Sequence, residues 1–540
     1  MRSAIFLLAS LPLIAVCSCA PRSATSDANP TPKESVDPVT ISGERVDTGD
    51  VLKHHADETT KSVPQAAIED KGDLVIVRGD LGSVDWASLV GRQVTIEGDL
   101  VILETHDLGQ RGRVEVARER MYVPTTQFDP NDSDPDANSF QGGSNVAKVV
   151  AAQKYNDSAR LTIDDGSSKQ NVFPPILFPE LGRTQQTVRA GSVVNGVSGK
   201  VAKFRSKITL DASEPLQWTP APRPSRPSVG DPDATVASFN VLNFFTTIDD
   251  KTNNARGADS KSELERQEAK IVAAIIELKA DVIGLMELEN NLASEQQLVA
   301  ALNKELGKEV FKACGIPVDF RDAPGGNDEI RVGIIYRADR VSSVGPVSTI
   351  RDEAFTVARA PVVQTFQSKG SDKPFTVIVN HFKSKGASKA NAENKNKGDG
   401  QGAYNAARRS QALAISTFID EMETDSQPRV LVIGDLNAYQ QEDPVDALRA
   451  KGLIDLHEQF ESQSDSLNYS YLYRGQIGSL DHAFATKALA TDVTGIATWH
   501  INADEPRILD YNEEYNPKSL FDATAYRSSD HDPVLIGIGN

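Results

Sequence analysis

Residues 429–444 read RVLVIGDLNAYQQEDP. An apolar run from Val430 to Ile433 meets Gly434 and stops at once in Asp435-Leu436-Asn437. A run so short and so apolar is expected of a strand covered on both faces, in a sheet buried between layers. Residues i and i+2 of a strand share a face, so Asp435 and Asn437 are expected to point one way and Leu436 into the core. Two short acceptors at the end of a buried strand form either a polar turn or part of a binding floor. Distant stretches decide between the two.

The pattern recurs. Asn240 in SFNVLN, Glu287 in GLMELEN and His381 in VNHFKSK each stand near the C-terminal end of an apolar run. Asp481 in GSLDHAF and Asp530-His531-Asp532 in SSDHDPV stand beside two more. Taken singly, each has a plain explanation: a turn asparagine, a rim carboxylate, a packed histidine, a polar turn closed by Pro533. Taken together they fit a site built from loops at one edge of a scaffold. The surrounding texture agrees. SKSELERQEAKIVAAIIELKA (260–280) has apolar residues at helical spacing, with Ser262 and Glu265 in a capping-box pattern. Further helices are expected at about 294–306, 402–422 and 443–451, and strands at RVGIIYR, FTVIVNHF, SLDHAFA and PVLIGIG. The fold class this predicts is α/β: a sandwich of two packed sheets flanked by helices, over 234–540.

The residue types point to one chemistry. Asn240 and Glu287 offer oxygens of the kind a hard divalent cation takes, and Mg²⁺ is commonly held by one or two carboxylates plus water and substrate phosphate. His381 and His531 exchange protons near neutral pH. Such a set suits phosphodiester cleavage, in which a metal neutralises phosphate, a base draws a proton from water and an acid protects the leaving oxygen.

At 540 residues the chain is too long for one core, and two or three domains are expected. The formal charge of −19 argues against a nucleic-acid coat protein, whose affinity comes from Lys and Arg on phosphates. It does not exclude an enzyme with a local basic patch. The first residues, MRSAIFLLASLPLIAVCSCAPRS, form a secretory leader with an apolar run too short to span a membrane as a mature helix. Ser18 before Cys19 resembles a lipoprotein cleavage box, giving a leader over 1–19 and a lipid-modified Cys19. A plain cut near Ala20 is the alternative, opposed by Pro21. The protein is thus expected to be exported, as an outer-membrane or cell-surface lipoprotein or an extracellular protein, and to touch membrane only through that lipid. Cys314 is then the one cysteine of the mature chain, an inert thiol with no disulfide partner.

Residues 20–63 are polar and Pro-rich, a tether without a core. Over 64–218, alternating runs such as DLVIVRGDL and RQVTIEGDLVIL with Gly and Asp at the turns predict a small β-rich, OB-like domain. Its acidic insert FDPNDSDPDANSFQGG is a solvated loop, with Ca²⁺ binding as the alternative. TPAPRPSRPSVGDPD (219–233) is a stiff Pro-rich linker expected to join neither core.

The ordered set FNVLN, GLMELEN, NHFKSK, GDLNAY, LDHAF and SSDHDP resembles the endonuclease/exonuclease/phosphatase superfamily typified by deoxyribonuclease I, over about 234–540. The longer stretches NHFKSKG, KGDGQGAYNAARRSQA, GDLNAYQQEDP, WHINADEP and YRSSDHDPV are similar to the extracellular nucleases of bacteria, which also carry an OB-like domain upstream. The resemblance implies that Asn240 and Glu287 help hold the main Mg²⁺ or Mn²⁺ site, with Asp530 near it; an extra Ca²⁺ site is left open by the sequence. It makes His381 and His531 the acid/base pair, with Asp481 orienting His531. Asp435 and Asn437 then orient the attacking water or the phosphate, with a second metal between as the alternative. An acidic partner for His381 is implied too, and Asp328 and Glu329 both remain open. The stretch 383–409 carries seven Lys and Arg against Glu393 and Asp399. Following directly on His381, it predicts a cationic rim for a nucleic-acid backbone, with Lys383 as the contact. Tyr404 is read as a core-facing aromatic, with base stacking as the alternative.

The expected function is metal-dependent hydrolysis of DNA, with RNA as a further substrate, by a monomer. Two alternatives are a phospholipid or phosphomonoester hydrolase on the same scaffold, and a non-catalytic surface protein that binds nucleic acid through the OB-like domain. The first would be expected to expose an apolar hairpin, which no loop here offers. The second would be expected to have lost ligands or histidines, and all are present.

Overall fold

The computed structural model describes residues 65–131, 145–182, 186–422, 427–460 and 468–539. The leader, the tether and most of the acidic insert lie outside the described residues.

Two six-stranded sheets form the larger unit. One runs in the order Val341–Thr349, Val362–Ser368, Phe375–His381, Val430–Asp435, Asp481–Ala485, Ile454–Asp455. The other runs Phe311–Ala313, Ile330–Arg337, Val282–Glu289, Ala234–Phe244, Val534–Ile538, Val493–Thr498. The apolar run of the opening stretch is explained by its two coverings. Leu431 and Ile433 face the opposite sheet, with Val282, Met286 and Ile334. Val430 and Val432 face helices Asn405–Asp420 and Asp443–Ala450, with Ile415 and Leu448. Each such side chain contributes about 1.5–3 kcal/mol by leaving water. Helices Lys261–Leu278 and Leu292–Leu306 cover the outer face of the second sheet through Ile271, Ile275, Leu298 and Leu302. The two sheets approach closely at Gly284, where a Cβ would lie 2.7 Å from Val379 and 2.9 Å from Ile433.

The capping box lies two residues before the predicted one. Ser260, in extended conformation, accepts from the Glu263 amide at 3.2 Å, and the Glu263 carboxylate accepts from the Asp259 amide at 2.8 Å. The sequence SKSELE holds two pairs of this spacing, and Ser262 of the second is already helical.

Upstream, five strands close on themselves: Gln93–Glu104, Val114–Ala117, Leu161–Asp164, Lys207–Ala212 and Val193–Phe204, the last pairing back to Gln93–Glu104. Their inward side chains, among them Val94, Ile96, Val116, Ile163 and Leu210, make a separate core. The run RVEVARERMYV is not one strand. Val114–Ala117 stays in the barrel, while Met121–Tyr122 leaves it and pairs in parallel with Gln476–Gly478 of the sandwich.

The linker joins the sandwich more closely than its composition predicts. Val229 is buried in the sandwich core, and the Pro224 carbonyl accepts from Trp499 Nε1 at 3.0 Å. Half-buried ion pairs complete the junction: Arg120 with Asp504 at 2.8 Å, and Arg223 with both Glu505 oxygens at 3.0 and 2.7 Å.

Candidate active site

The register of the first sheet places His381 beside Asp435 and Asp435 beside Asp481, across three neighbouring strands. Asp435 Oδ2 lies 3.4 Å from His381 Nε2 and 3.9 Å from His531 Nε2. Two imidazoles, one from the middle of the domain sequence and one from near its end, therefore flank one carboxylate oxygen. Asn240 Nδ2 approaches the same oxygen at 3.5 Å. Burial raises the Asp435 pKa above the ordinary carboxylate value.

Asn437 reaches this floor by a different route from the strand pleat. The strand ends at Asp435, and Asn437 has a left-handed backbone with φ 48°. Its amide donates to Asp435 Oδ1 at 2.8 Å and its side chain donates to the Phe382 carbonyl at 3.2 Å. Leu436 is buried in the outer core, as expected. Gly434 permits the turn: its φ is 135°, and a Cβ there would overlap the Asn380 carbonyl.

On the opposite sheet, Asn240 and Glu287 are aimed by irregularities in strands that are otherwise regular. Register shifts fall between Asn240 and Phe244 and between Leu285 and Leu288. Glu287 has φ 65°, Leu242 φ 53° and Asn243 φ 48°. Each such conformation costs about 1–3 kcal/mol and persists where the surroundings over-determine it, as at active sites. Glu287 accepts from Asn240 Nδ2 at 3.2 Å and from the Asn243 amide at 3.0 Å. Burial raises the Glu287 pKa, and the nearby charge of Asp530 raises it further.

His531 is the better anchored ring. Its Nδ1 lies 2.7 Å from Asp481 Oδ2, which also accepts from Ser470 Oγ at 2.7 Å. The Tyr471 ring lies 4.5 Å from the imidazole. Burial opposes charge on His531, but Asp481, Asp435 and Asp530 outweigh it and hold its pKa well above the ordinary value. His381 is pushed the other way, by burial and then by the charges of Arg359, His531 and Lys383.

The segment WHINADEP, whose role the sequence does not reveal, holds the loop that carries His531. Asn502 accepts from the Ser528 amide at 2.8 Å and donates to the His531 carbonyl at 2.7 Å. Asp532 binds the Asn502 and Ala503 amides with one oxygen and His500 Nδ1 with the other, at 2.9 Å.

His381, His531, Asp435, Asn437, Asp481, Asn240 and Glu287 are thus joined by contacts around one edge of the sandwich, with Asp530 beside Glu287. Neither open candidate is seen bonded to His381, whose buried Nδ1 has no hydrogen-bond partner among the described residues. Asp328 faces Arg359 at 3.6 Å, and Glu329 accepts from Asn254 at 3.2 Å. The cationic rim is smaller than its composition suggests, because Arg408 is buried on the carbonyls of Gln401 and Ala403 and Lys385 is bound to Glu442. Lys383 is half-buried, its ammonium 5.1 Å from the Tyr404 ring centre. Tyr404 is buried, and its hydroxyl donates to the Ser388 carbonyl, which favours the core-facing reading. Ser470, Tyr471, Asn502 and Arg359 escape sequence reasoning, since nothing marks them apart from other polar or aromatic loop residues.

The oxygen donors fit a hard cation. After burial, the nearby charge of Asp530 is the main influence raising the Glu287 pKa, opposed by His531, Asn240 and Arg359, and Asn240 adds a neutral amide. Among the described residues no group of three or more His, Cys, Asp and Glu side chains is placed to hold a metal ion by itself. An open set of few protein ligands suits Mg²⁺ or Mn²⁺, which keep positions for water and phosphate.

A two-sheet sandwich with such a set at one edge has the chemistry that phosphoester hydrolysis needs. Residues 237–531 match the Endonuclease/Exonuclease/phosphatase family, and the chain belongs to it. Members of the family typically use divalent metals. Among curated proteins none matches the chain. The fold is similar to that of an endonuclease/exonuclease/phosphatase family protein from Bacteroides thetaiotaomicron, at 17% identity over 56% of this chain and 93% of that one, TM-score 0.36. It is also similar to a mannosyl-6-phosphatase of Bacteroides thetaiotaomicron, at 17% identity over 57% and 100%, TM-score 0.37. D. rerio TDP2 complexed with single strand DNA product matches at 16% identity over 57% and 99%, TM-score 0.36.

Proposed function

We propose that this protein is a divalent-metal-dependent phosphodiesterase that cuts nucleic acid, with DNA as its principal substrate and RNA as a further one. The observation that carries the reading is the pair of imidazoles meeting at Asp435 Oδ2, opposite the oxygen donors Asn240 and Glu287. Asn240, Glu287 and Asp530 would hold the metal, which supplies charge neutralisation at the phosphate. With Nδ1 fixed on Asp481, His531 turns Nε2 to the reacting phosphate, where the buried carboxylate supports positive charge on the ring. His381 presents its own Nε2 from the other side, so one ring gives a proton while the other takes one. Asp435 and Asn437 hold the attacking water or a phosphate oxygen between them.

The leader read over 1–19 supports export, with a lipid on Cys19 as the membrane attachment. The upstream five-strand barrel is read as OB-like, and the enzyme as a monomer. The test is digestion of supercoiled plasmid, linear duplex, single-stranded DNA and RNA by the purified protein with Mg²⁺ or Mn²⁺. Nicking that stops with chelator is expected, and His531→Ala should slow it by about 10²–10⁴-fold. A His531→Ala protein as fast as the parent would remove this residue from the mechanism.

A further inference from the structure

A cleft of about 360 Å³ lies beside Asp530, where the barrel meets the sandwich. His106 of the barrel and Arg256, Tyr471 and Arg507 of the sandwich stand on its walls. Tyr471 joins it to the candidate active site, because the same ring packs on His531. Its walls are held rigidly by the parallel pairing of Met121–Tyr122 with Gln476–Ile477 and by the half-buried Arg120–Asp504 pair.

The charges on these walls do not cancel. Asp504 is taken up by Arg120 and Arg189, Glu505 by Arg223, and Asp510 by Arg527. Burial pushes the Glu104 carboxyl up to about 7, which removes much of its charge near neutrality. Arg256 and Arg507 have no carboxylate partner among the described residues. Arg507 Nη1 instead lies 3.5 Å from His106 Nε2. Asp530 is the remaining wall carboxylate; two guanidiniums against one acid leave an excess of positive charge in a cleft that reaches the reacting centre, which is matched to a phosphate. The volume is that of a pocket for one small-molecule-sized unit, at the low end of about 300–1,000 Å³.

We infer that this cleft seats the nucleotide next to the scissile phosphate of a single nucleic-acid strand, with Arg256 and Arg507 on its flanking phosphate and Tyr471 against its base or sugar. The inference rests on the phosphodiesterase reading above and deepens it. A paired duplex does not enter a one-nucleotide cleft, so strands that are single or locally opened are the preferred substrate. A phosphate contact combined with an aromatic face is also how single strands are held without sequence preference.

The test is the double variant Arg256→Ala/Arg507→Ala of the full chain. Binding of a fluorescently labelled single-stranded oligodeoxynucleotide is followed by anisotropy in EDTA, so that chemistry does not enter. Affinity should fall by about tenfold or more, and the slope of log K against log salt should become shallower by about 0.7 per lost phosphate contact. With Mg²⁺, the preference for the oligonucleotide over a small aryl phosphodiester should fall by a similar factor. Unchanged binding and preference overturn the cleft assignment, as does a proportional loss on both substrates or a parent that favours duplex. All of these leave the nuclease reading standing. A parent that cuts no nucleic acid in any divalent metal removes that reading, and the cleft assignment with it.

Discussion

Asp481→Asn is the sharpest probe of the site, because the structure fixes what the amide must do. Asp481 Oδ2 accepts from His531 and from Ser470, each at 2.7 Å, while Oδ1 is buried with no partner. If the asparagine places its oxygen at the Oδ2 position, both bonds survive without charge. The Nδ2 group is then left at the partnerless position, a buried donor that costs about 1–3 kcal/mol. If it flips, the Nδ1–H of His531 loses its acceptor, and a charge-assisted bond of about 1.5–3 kcal/mol is lost. In either arrangement the ring loses the carboxylate that supports its positive charge. If the loss falls wholly on the transition state, 1.5–3 kcal/mol corresponds to about 10–150-fold in kcat. KM should change little, since Asp481 is covered by His531 and Ser470 and touches no substrate. The assay is steady-state turnover of a small phosphodiester and of plasmid in Mg²⁺, with a thermal melt to confirm folding. A folded Asp481→Asn protein whose kcat equals that of the parent would refute the orienting role.

Gly434→Ala should lower stability by about 3 kcal/mol or more, because the new methyl overlaps the Asn380 carbonyl and φ 135° is foreign to alanine. A lower denaturant midpoint with an unchanged slope checks it. Glu287→Gln should raise the Mg²⁺ concentration for half-maximal activity by about tenfold or more, and a Mn²⁺-binding titration by electron paramagnetic resonance should show the same weakening without turnover. Cys314 is half-buried, and burial pushes its thiol pKa up, so a disulfide reagent should label it slowly in the native protein and at once in denaturant.

The layering of the sandwich was legible because burial on both faces leaves a mark in sequence. Runs such as Val430–Ile433 have no polar residue to spare for a solvent face, and the helices that cover them carry apolar residues at helical spacing. That His381, Asp435 and Asp481 stand out as site candidates was legible for a related reason, since each sits where such a run ends or begins; the strand order that sets them side by side was not. How Asn437, Asn240 and Glu287 are aimed was not. Left-handed backbone at a non-glycine residue and a register shift within a strand are set by tertiary packing, and no residue type announces them. The alternation rule therefore found Asn437 but gave it the wrong geometry. The basic stretch misled in the opposite sense: Arg408 and Lys385 look like surface charge in sequence and are internal braces in the fold. Ser470 and Asn502 act through hydrogen bonds to the residues that carry the chemistry, Ser470 to Asp481 and Asn502 to the His531 loop, a role that any polar loop residue has the chemistry to fill.

The segment from Trp499 to Glu505 moors three parts of the molecule within one short length of chain. Trp499 grips the linker, Asn502 grips the loop of His531, and Asp504 grips the barrel through Arg120 and Arg189. A pull on the barrel is thus delivered two peptide units from the knot that positions an imidazole. Cutting any one of these three moorings therefore loosens the same short segment that the other two depend on.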